Sequence, residues 1–176
     1  MPDQDELFQQ VMDAFGPALV RLARACELGG EERRDLLQEI HLALWRSFAV
    51  YDARCSLRTW VYRVAHNAAA SHVLRNRRFK AMTMVSLEEL EAQGGIAARN
   101  QNDGVERSDE TERLLALIQR LNPLDRQVIL LYLEGLDGAS IGEVTGISAG
   151  YAATKVCRIK GILAEMFRNG GNHDQQ

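Results

Sequence analysis

Between Gln93 and Asp109 the chain reads QGGIAARNQNDGVERSD, with three glycines, two β-branched apolar residues and no sustained hydrophobic period. Such a stretch buries too little apolar surface to offset the entropy of ordering it, so a boundary belongs there. On either side, apolar residues recur every three or four positions, and no segment sustains a two-residue alternation. The fold class follows: all-α, two small helical domains joined by a flexible acidic linker, the C-terminal one containing a helix-turn-helix. A length of 176 residues accommodates two small units of this kind.

In the first half, Leu7, Phe8, Val11, Met12, Phe15, Leu19, Leu22 and Ala23 trace one face of a helix that Gly16-Pro17 kinks or splits. Gly29-Gly30 ends it, and Glu31–Phe48 forms a second helix with acids in its first turn, where the helix dipole favours them. Tyr51–Ser56 is a loop, and Ser56 is placed to cap a third helix from Leu57 to about Phe79. Ser86–Glu91 has the composition of a short extra helix. In the second half a helix opens at Ser108 or Asp109 and runs through Leu121. Asn122-Pro123 then supplies a cap and a proline at the first helical position, and Gly135 closes the helix 124–134. Asp137 caps a short helix to Thr145, Gly146 turns the chain, and Ser148 caps a last helix from Ala149 to about Phe167. Two helices joined by a glycine-containing turn of this length make a helix-turn-helix.

A formal charge of −3 argues weakly against nucleic acid until it is divided along the chain. Residues 54–80 carry seven cations (Arg54, Arg58, Arg63, Arg75, Arg77, Arg78, Lys80) and no acid, whereas 81–112 carry eight acids against two arginines. A helix that is merely solvated mixes signs, so the acid-free run favours a polyanion. Tyr51 lies just before it and Trp60, Tyr62, His66, Asn67 and His72 lie within it, and aromatics beside a cationic track suit stacking on single-stranded bases. Burial of Trp60 against the first two helices is the competing reading, and it remains open at this point. The last helix presents Tyr151, Thr154, Lys155, Arg158 and Lys160 around a stripe of Ala152, Val156, Ile159 and Leu163, a form suited to a DNA groove and also to a solvated basic face.

Other classes find little support. No apolar run approaches the roughly 18 residues needed to span a bilayer, so the chain is expected to be cytoplasmic, with no membrane insertion. Cys26, Cys55 and Cys157 form no paired ligand motif, so no metal is expected. Apolar neighbours around Cys26 and Cys157 suggest packing roles. His41, His66, His72 and His173 are dispersed and no Gly-rich phosphate loop occurs, so neither catalytic residues nor a cofactor are expected, and a hydrolase or nuclease is disfavoured.

The run DLLQEIHLALWR (Asp35–Arg46) and the run SLRTWVYRVAHN (Ser56–Asn67) together resemble region two of bacterial RNA polymerase sigma factors of the extracytoplasmic-function type, in the sigma-70 family. The run LNPLDRQVI (Leu121–Ile129) and the helix-turn-helix through Lys160 resemble region four of the same family. The two occur in the family's order with a linker between them. The resemblance implies a region-two domain over 1–80, a linker over 81–108, a region-four domain over 109–168 and a disordered tail over 169–176.

It further implies a non-enzymatic subunit that binds core RNA polymerase and directs promoter recognition, strand opening and transcription initiation. Asp35, Gln38, Glu39, Trp45 and Arg46 correspond to the surface that docks on the clamp helices of the largest subunit, and the first helices of the second domain to the part that grips the flap. Arg54, Ser56, Arg58, Arg63 and Asn67 correspond to contacts with the minus-ten element of promoter DNA, with Trp60 supporting the loop from the core. Ser148, Ala149, Tyr151, Thr154, Lys155 and Arg158 correspond to contacts with the minus-thirty-five duplex. An anti-sigma factor is a frequent further partner in the family. The chain departs from the family pattern at Gly138 and Gly142, which should weaken the scaffold helix, and at Gly150–Ala153. A stand-alone helix-turn-helix regulator that binds duplex DNA without polymerase is the alternative.

Overall fold

The computed structural model describes residues 3–77 and 106–171. Among these residues the chain forms seven α-helices and no strand. Helix α1 (Gln4–Cys26) opens on a capping box in which Asp3 and Glu6 satisfy each other's backbone N–H groups. Gly16-Pro17 does not split it. An internal proline forfeits one helical hydrogen bond, but Val11 and Leu19 on either side are fully buried and hold the helix as one piece. Helix α2 (Gly30–Phe48) buries Leu36, Ile40, Leu44 and Phe48 against it.

Helix α3 (Leu57–Arg77) closes this three-helix unit with Val61, Ala65 and Ala69. Its start follows from Ser56, whose Oγ accepts the Thr59 N–H at 3.1 Å. Trp60 donates to Ser47 Oγ at 3.0 Å and sits 5.3 Å from the Tyr51 ring, so it braces the preceding loop from within the unit. That resolves the choice left open by the sequence in favour of support.

In the second unit, α4 (Glu106–Arg120) begins two residues ahead of Ser108. Helix α5 (Pro123–Leu133) is capped by Asn122, whose Oδ1 accepts the Asp125 N–H at 2.9 Å, and Gly135 follows at φ 79°. Helix α6 (Gly138–Thr145) has its Asp137 cap, and Gly146 turns at φ 79°. Helix α7 (Ala149–Gly171) then packs Ala152, Val156, Ile159, Leu163 and Met166 inward.

The two glycines of α6 have a packing reason. A Cβ on Gly142 would lie 2.7 Å from the Ile147 carbonyl oxygen, and one on Gly138 would lie 3.0 Å from that of Ala149. What the sequence presents as a weak scaffold helix is a close approach of α6 to the turn and to the start of α7, which only a missing side chain permits.

The expected short helix at Ser86–Glu91, the last residues of the cationic run (Arg78, Phe79 and Lys80) and the part of the acidic linker over 81–105 lie outside the described residues, as does 172–176; the first three residues of the tail expected over 169–176 are not a disordered tail but continue α7 to Gly171. The two units meet, and their buried side chains form one cluster: α1 packs on α4, and α3 packs on α5 and α6.

Candidate nucleic-acid interface

The loop from Ala49 to Ser56 is held by its own side chains. Tyr51 donates to the Cys55 carbonyl at 2.9 Å, and Asp52 accepts from both the backbone N–H of Arg54, at 3.2 Å, and its Nε, at 2.9 Å. Ala53 sits between them at φ 59°, a left-handed conformation that a residue bearing a Cβ seldom adopts. This arrangement presents Arg54 outward, its side chain 89% exposed.

From Ser56 the helix turns two rows of side chains toward the second unit. Arg63 and Asn67 are one turn apart on the same side, with Asn67 exposed. Arg58 lies 5.9 Å from the Tyr62 ring and donates to the Glu134 carbonyl at 2.7 Å. Arg63 donates to the Glu143 carbonyl at 2.8 Å. Deeper in the same helix, burial pushes His66 down to about 3, so it packs as a neutral ring.

On α7, Tyr151, Thr154 and Arg158 share an outward face that continues from exposed Ser148 and Ala149. Ser148 Oγ accepts the Tyr151 N–H at 3.2 Å and so caps the helix, as expected. Lys155 is placed differently from its neighbours. Its ammonium lies 2.5 Å from Asp125 Oδ1, a carboxylate with no solvent exposure, and 5.0 Å from the Tyr151 ring centre. Burial opposes its charge most strongly, but the hydrogen bond to Asp125, the charge of that carboxylate and the Tyr151 side chain together outweigh it and raise the Lys155 pKa. Lys160 similarly reaches Tyr132 Oη at 3.0 Å. Residue types cannot reveal the Lys155–Asp125 pair, whose members lie 30 positions apart.

The helix α2 surface forms a third region. Glu32, Asp35, Gln38, Glu39 and Leu42 line an open groove of about 620 Å³, with His72 and Asn76 of α3 on its far side. Glu39 accepts from Arg75 and lies 3.1 Å from His72 Nδ1. Burial alone would raise its pKa, but these hydrogen bonds hold its carboxyl below the ordinary range. Trp45 and Arg46 lie beyond this groove: Trp45 is 40% exposed and donates to Asp5 Oδ1 at 2.8 Å, while Gln4 donates to the Trp45 carbonyl at 2.7 Å. Asp5, Gln4, His72 and Arg75 carried no signal in the sequence that would tie them to this surface.

The cysteines divide. Burial pushes Cys26 up to about 11, in keeping with a packing role. Cys157 is exposed, contrary to the expectation from its apolar neighbours. Successive residues on a helix point about 100° apart, so Val156 faces inward without taking Cys157 with it. Among the described residues no cluster of His, Cys, Asp and Glu could hold a metal, and no helix is long and apolar enough to cross a membrane.

Comparison with known proteins agrees with this arrangement. Residues 11–79 match the Sigma-70 region 2 family model, and residues 111–163 match Sigma-70, region 4. The chain belongs to the sigma-70 family of RNA polymerase sigma factors, in its extracytoplasmic-function branch. It is 25% identical over 167 residues to RNA polymerase sigma factor CnrH of Cupriavidus metallidurans, covering 91% of this chain and 86% of that one. It is 21% identical over 164 residues to NccH of Alcaligenes xylosoxydans xylosoxydans, covering 92% and 87%.

Two solved structures share the fold. CnrH in complex with the cytosolic domain of CnrY has a TM-score of 0.65 at 19% identity, over 92% of this chain and 88% of that one. The sigma factor RpoE from Bartonella quintana, in complex with the anti-sigma factor NepR, has a TM-score of 0.66 at 17% identity, over 92% and 96%. The stand-alone regulator reading gives way: this is a sigma factor, from a family of non-enzymatic initiation subunits.

Proposed function

We propose that each half of this sigma factor holds one promoter element while α2 holds the polymerase. The acid-free helix α3 and its preceding loop carry the reading for the minus-ten element. Arg54, Ser56, Arg58, Arg63 and Asn67 offer cations and hydrogen-bonding groups in sequence along one track. Separating strands costs a few kcal/mol per unstacked base, and a track that holds the displaced strand offsets that cost without fuel. Tyr151, Thr154 and Arg158, with Ser148 and Ala149 at the helix start, serve the minus-thirty-five duplex. Lys155 acts there chiefly by fixing α7 on α5. Asp35, Gln38 and Glu39 line the groove that receives a polymerase helix, and Trp45 and Arg46 extend the same surface. The protein works in the cytoplasm as a binding subunit and carries out no reaction of its own. The structures of CnrH and RpoE each hold a protein partner, and we propose that this chain too is held by an anti-sigma factor.

The experiment is promoter-dependent transcription with core polymerase, run beside Arg58→Ala combined with Arg63→Ala. Wild-type protein should start transcription at a promoter that core alone ignores. The double variant should bind core normally yet leave the minus-ten thymines unreactive to permanganate. Wild-type permanganate reactivity in the double variant would remove the assignment.

A further inference from the structure

Behind the groove on α2 runs a chain of polar groups that joins three helices. His72, Arg75 and Asn76 share a face of α3 at spacings of three and four residues, and each meets a carboxylate of another helix. Glu39 of α2 gives one oxygen to each of two donors: Oε1 lies 3.1 Å from His72 Nδ1, and Oε2 accepts from Arg75. On the other side of the ring, Asn76 Nδ2 lies 2.8 Å from His72 Nε2 and 3.2 Å from Glu27 Oε1. Glu27 caps the C-terminus of α1, where the helix dipole disfavours a carboxylate, so its place is explained by the acceptor it offers to α3. An ion pair between the two units is of another kind: Arg21 Nε and Nη2 reach the two Glu134 oxygens at 2.6 and 2.7 Å, with Tyr62 Oη 3.5 Å away, and Arg21 stays exposed. His72, by contrast, is buried.

The neighbours dictate where the ring carries its proton. An ionised Glu27 can only accept, so the amide of Asn76 turns its NH2 group toward it. That same NH2 group faces Nε2, which must then accept, and the single ring proton falls on Nδ1, pointing at Glu39. We infer that His72 is a positioning residue for polymerase docking: as a neutral ring donating from Nδ1, it holds the Glu39 carboxylate aimed into the α2 groove. The inference rests on the polymerase reading of that groove and adds what sets its geometry. Arg75 also holds Glu39, but it is exposed and brings a charge that offsets the carboxylate's own. A buried neutral donor fixes the carboxylate and leaves its negative charge for the partner helix. Each carboxylate oxygen has two lone pairs, so one on each is left to receive a donor from polymerase.

Fluorescence anisotropy of the labelled full chain, titrated with core polymerase, reads the affinity. His72→Asn puts an amide N–H where Nδ1 stood, whereas His72→Gln carries its amide out to the place of Nε2. The Asn variant should bind core within about twofold of wild type and the Gln variant about tenfold more weakly, the loss expected of one hydrogen bond to a charged group. A ring that merely fills space predicts the reverse order, since glutamine is the closer of the two to histidine in volume. Equal binding by the two variants, or tighter binding by the Gln variant, overturns the inference. In a Glu39→Ala background the two should bind alike, because the group they position is gone, and a gap that persists there overturns it too. Nitrogen-15 spectra of the wild-type imidazoles need no variant: His72 should be protonated on Nδ1 and bare on Nε2, and the opposite tautomer is a third way to overturn it. Asp35→Arg, on the groove but outside this network, separates the two readings. Wild-type affinity in Asp35→Arg removes the groove reading itself, and weakened binding there with no difference between Asn and Gln at 72 removes the His72 role alone.

Discussion

At the scale of single residues, the glycines of the second unit give the clearest separation between composition and geometry. Gly142 and Gly161 are both helix-interior glycines, and from sequence each is expected to gain about 1 kcal/mol on replacement by alanine. In the structure a Cβ at 142 would press on a backbone carbonyl at 2.7 Å, whereas at 161 it would meet nothing within 4 Å. Gly161→Ala should therefore raise stability by about 1 kcal/mol. Gly142→Ala should lower it by about 1–3 kcal/mol, because neither α6 nor the turn can move without disturbing α7. Urea unfolding of the two variants checks both signs. No property of the residue at 142 could disclose this in advance, since the constraint belongs to an atom of Ile147.

Elements were the most legible level. Four of the helix starts were readable because their caps are local chemistry: Ser56, Asn122-Pro123, Asp137 and Ser148 each act within three residues of themselves. The inward stripe of α7 was readable from its period. How one element is bolted to the next was not, because it depends on distant partners, and Lys155 is the case with most bearing on function. It carries the charge and helix position expected of a DNA contact, yet it neutralises Asp125 beneath α7. Lys155→Met should cost about 3 kcal/mol by leaving a buried carboxylate without its counter-charge. Combining it with Asp125→Leu should recover much of that loss. Normal urea unfolding of Lys155→Met together with a lost upstream footprint would assign the lysine to DNA instead.

For the whole molecule, acid sensitivity has a definite sign. His66 is held neutral with its pKa at about 3, against an ordinary value of 6.5, so the unfolded chain binds the extra proton between those values. Stability is then complete above pH 6.5 and falls by about 1.4 kcal/mol per pH unit as the medium is acidified below it. The lowered carboxyl of Glu39 acts in the same direction below its ordinary 4.5, where its bonds to His72 and Arg75 are lost on protonation. Thermal melts of wild type and His66→Leu across pH 5–7 (about two units, spanning the His range) should show the slope in the first and a flatter line in the second.

The joining of Arg21, Tyr62 and Glu134 across three helices also bears on descent. A carboxylate shared among positions 72 and 113 residues away cannot drift alone. Among descendants of this gene, a change of charge at 134 should persist only where 21 changes with it. Covariation of these two sites among homologues would record, in inheritance, a contact that only the folded chain reveals.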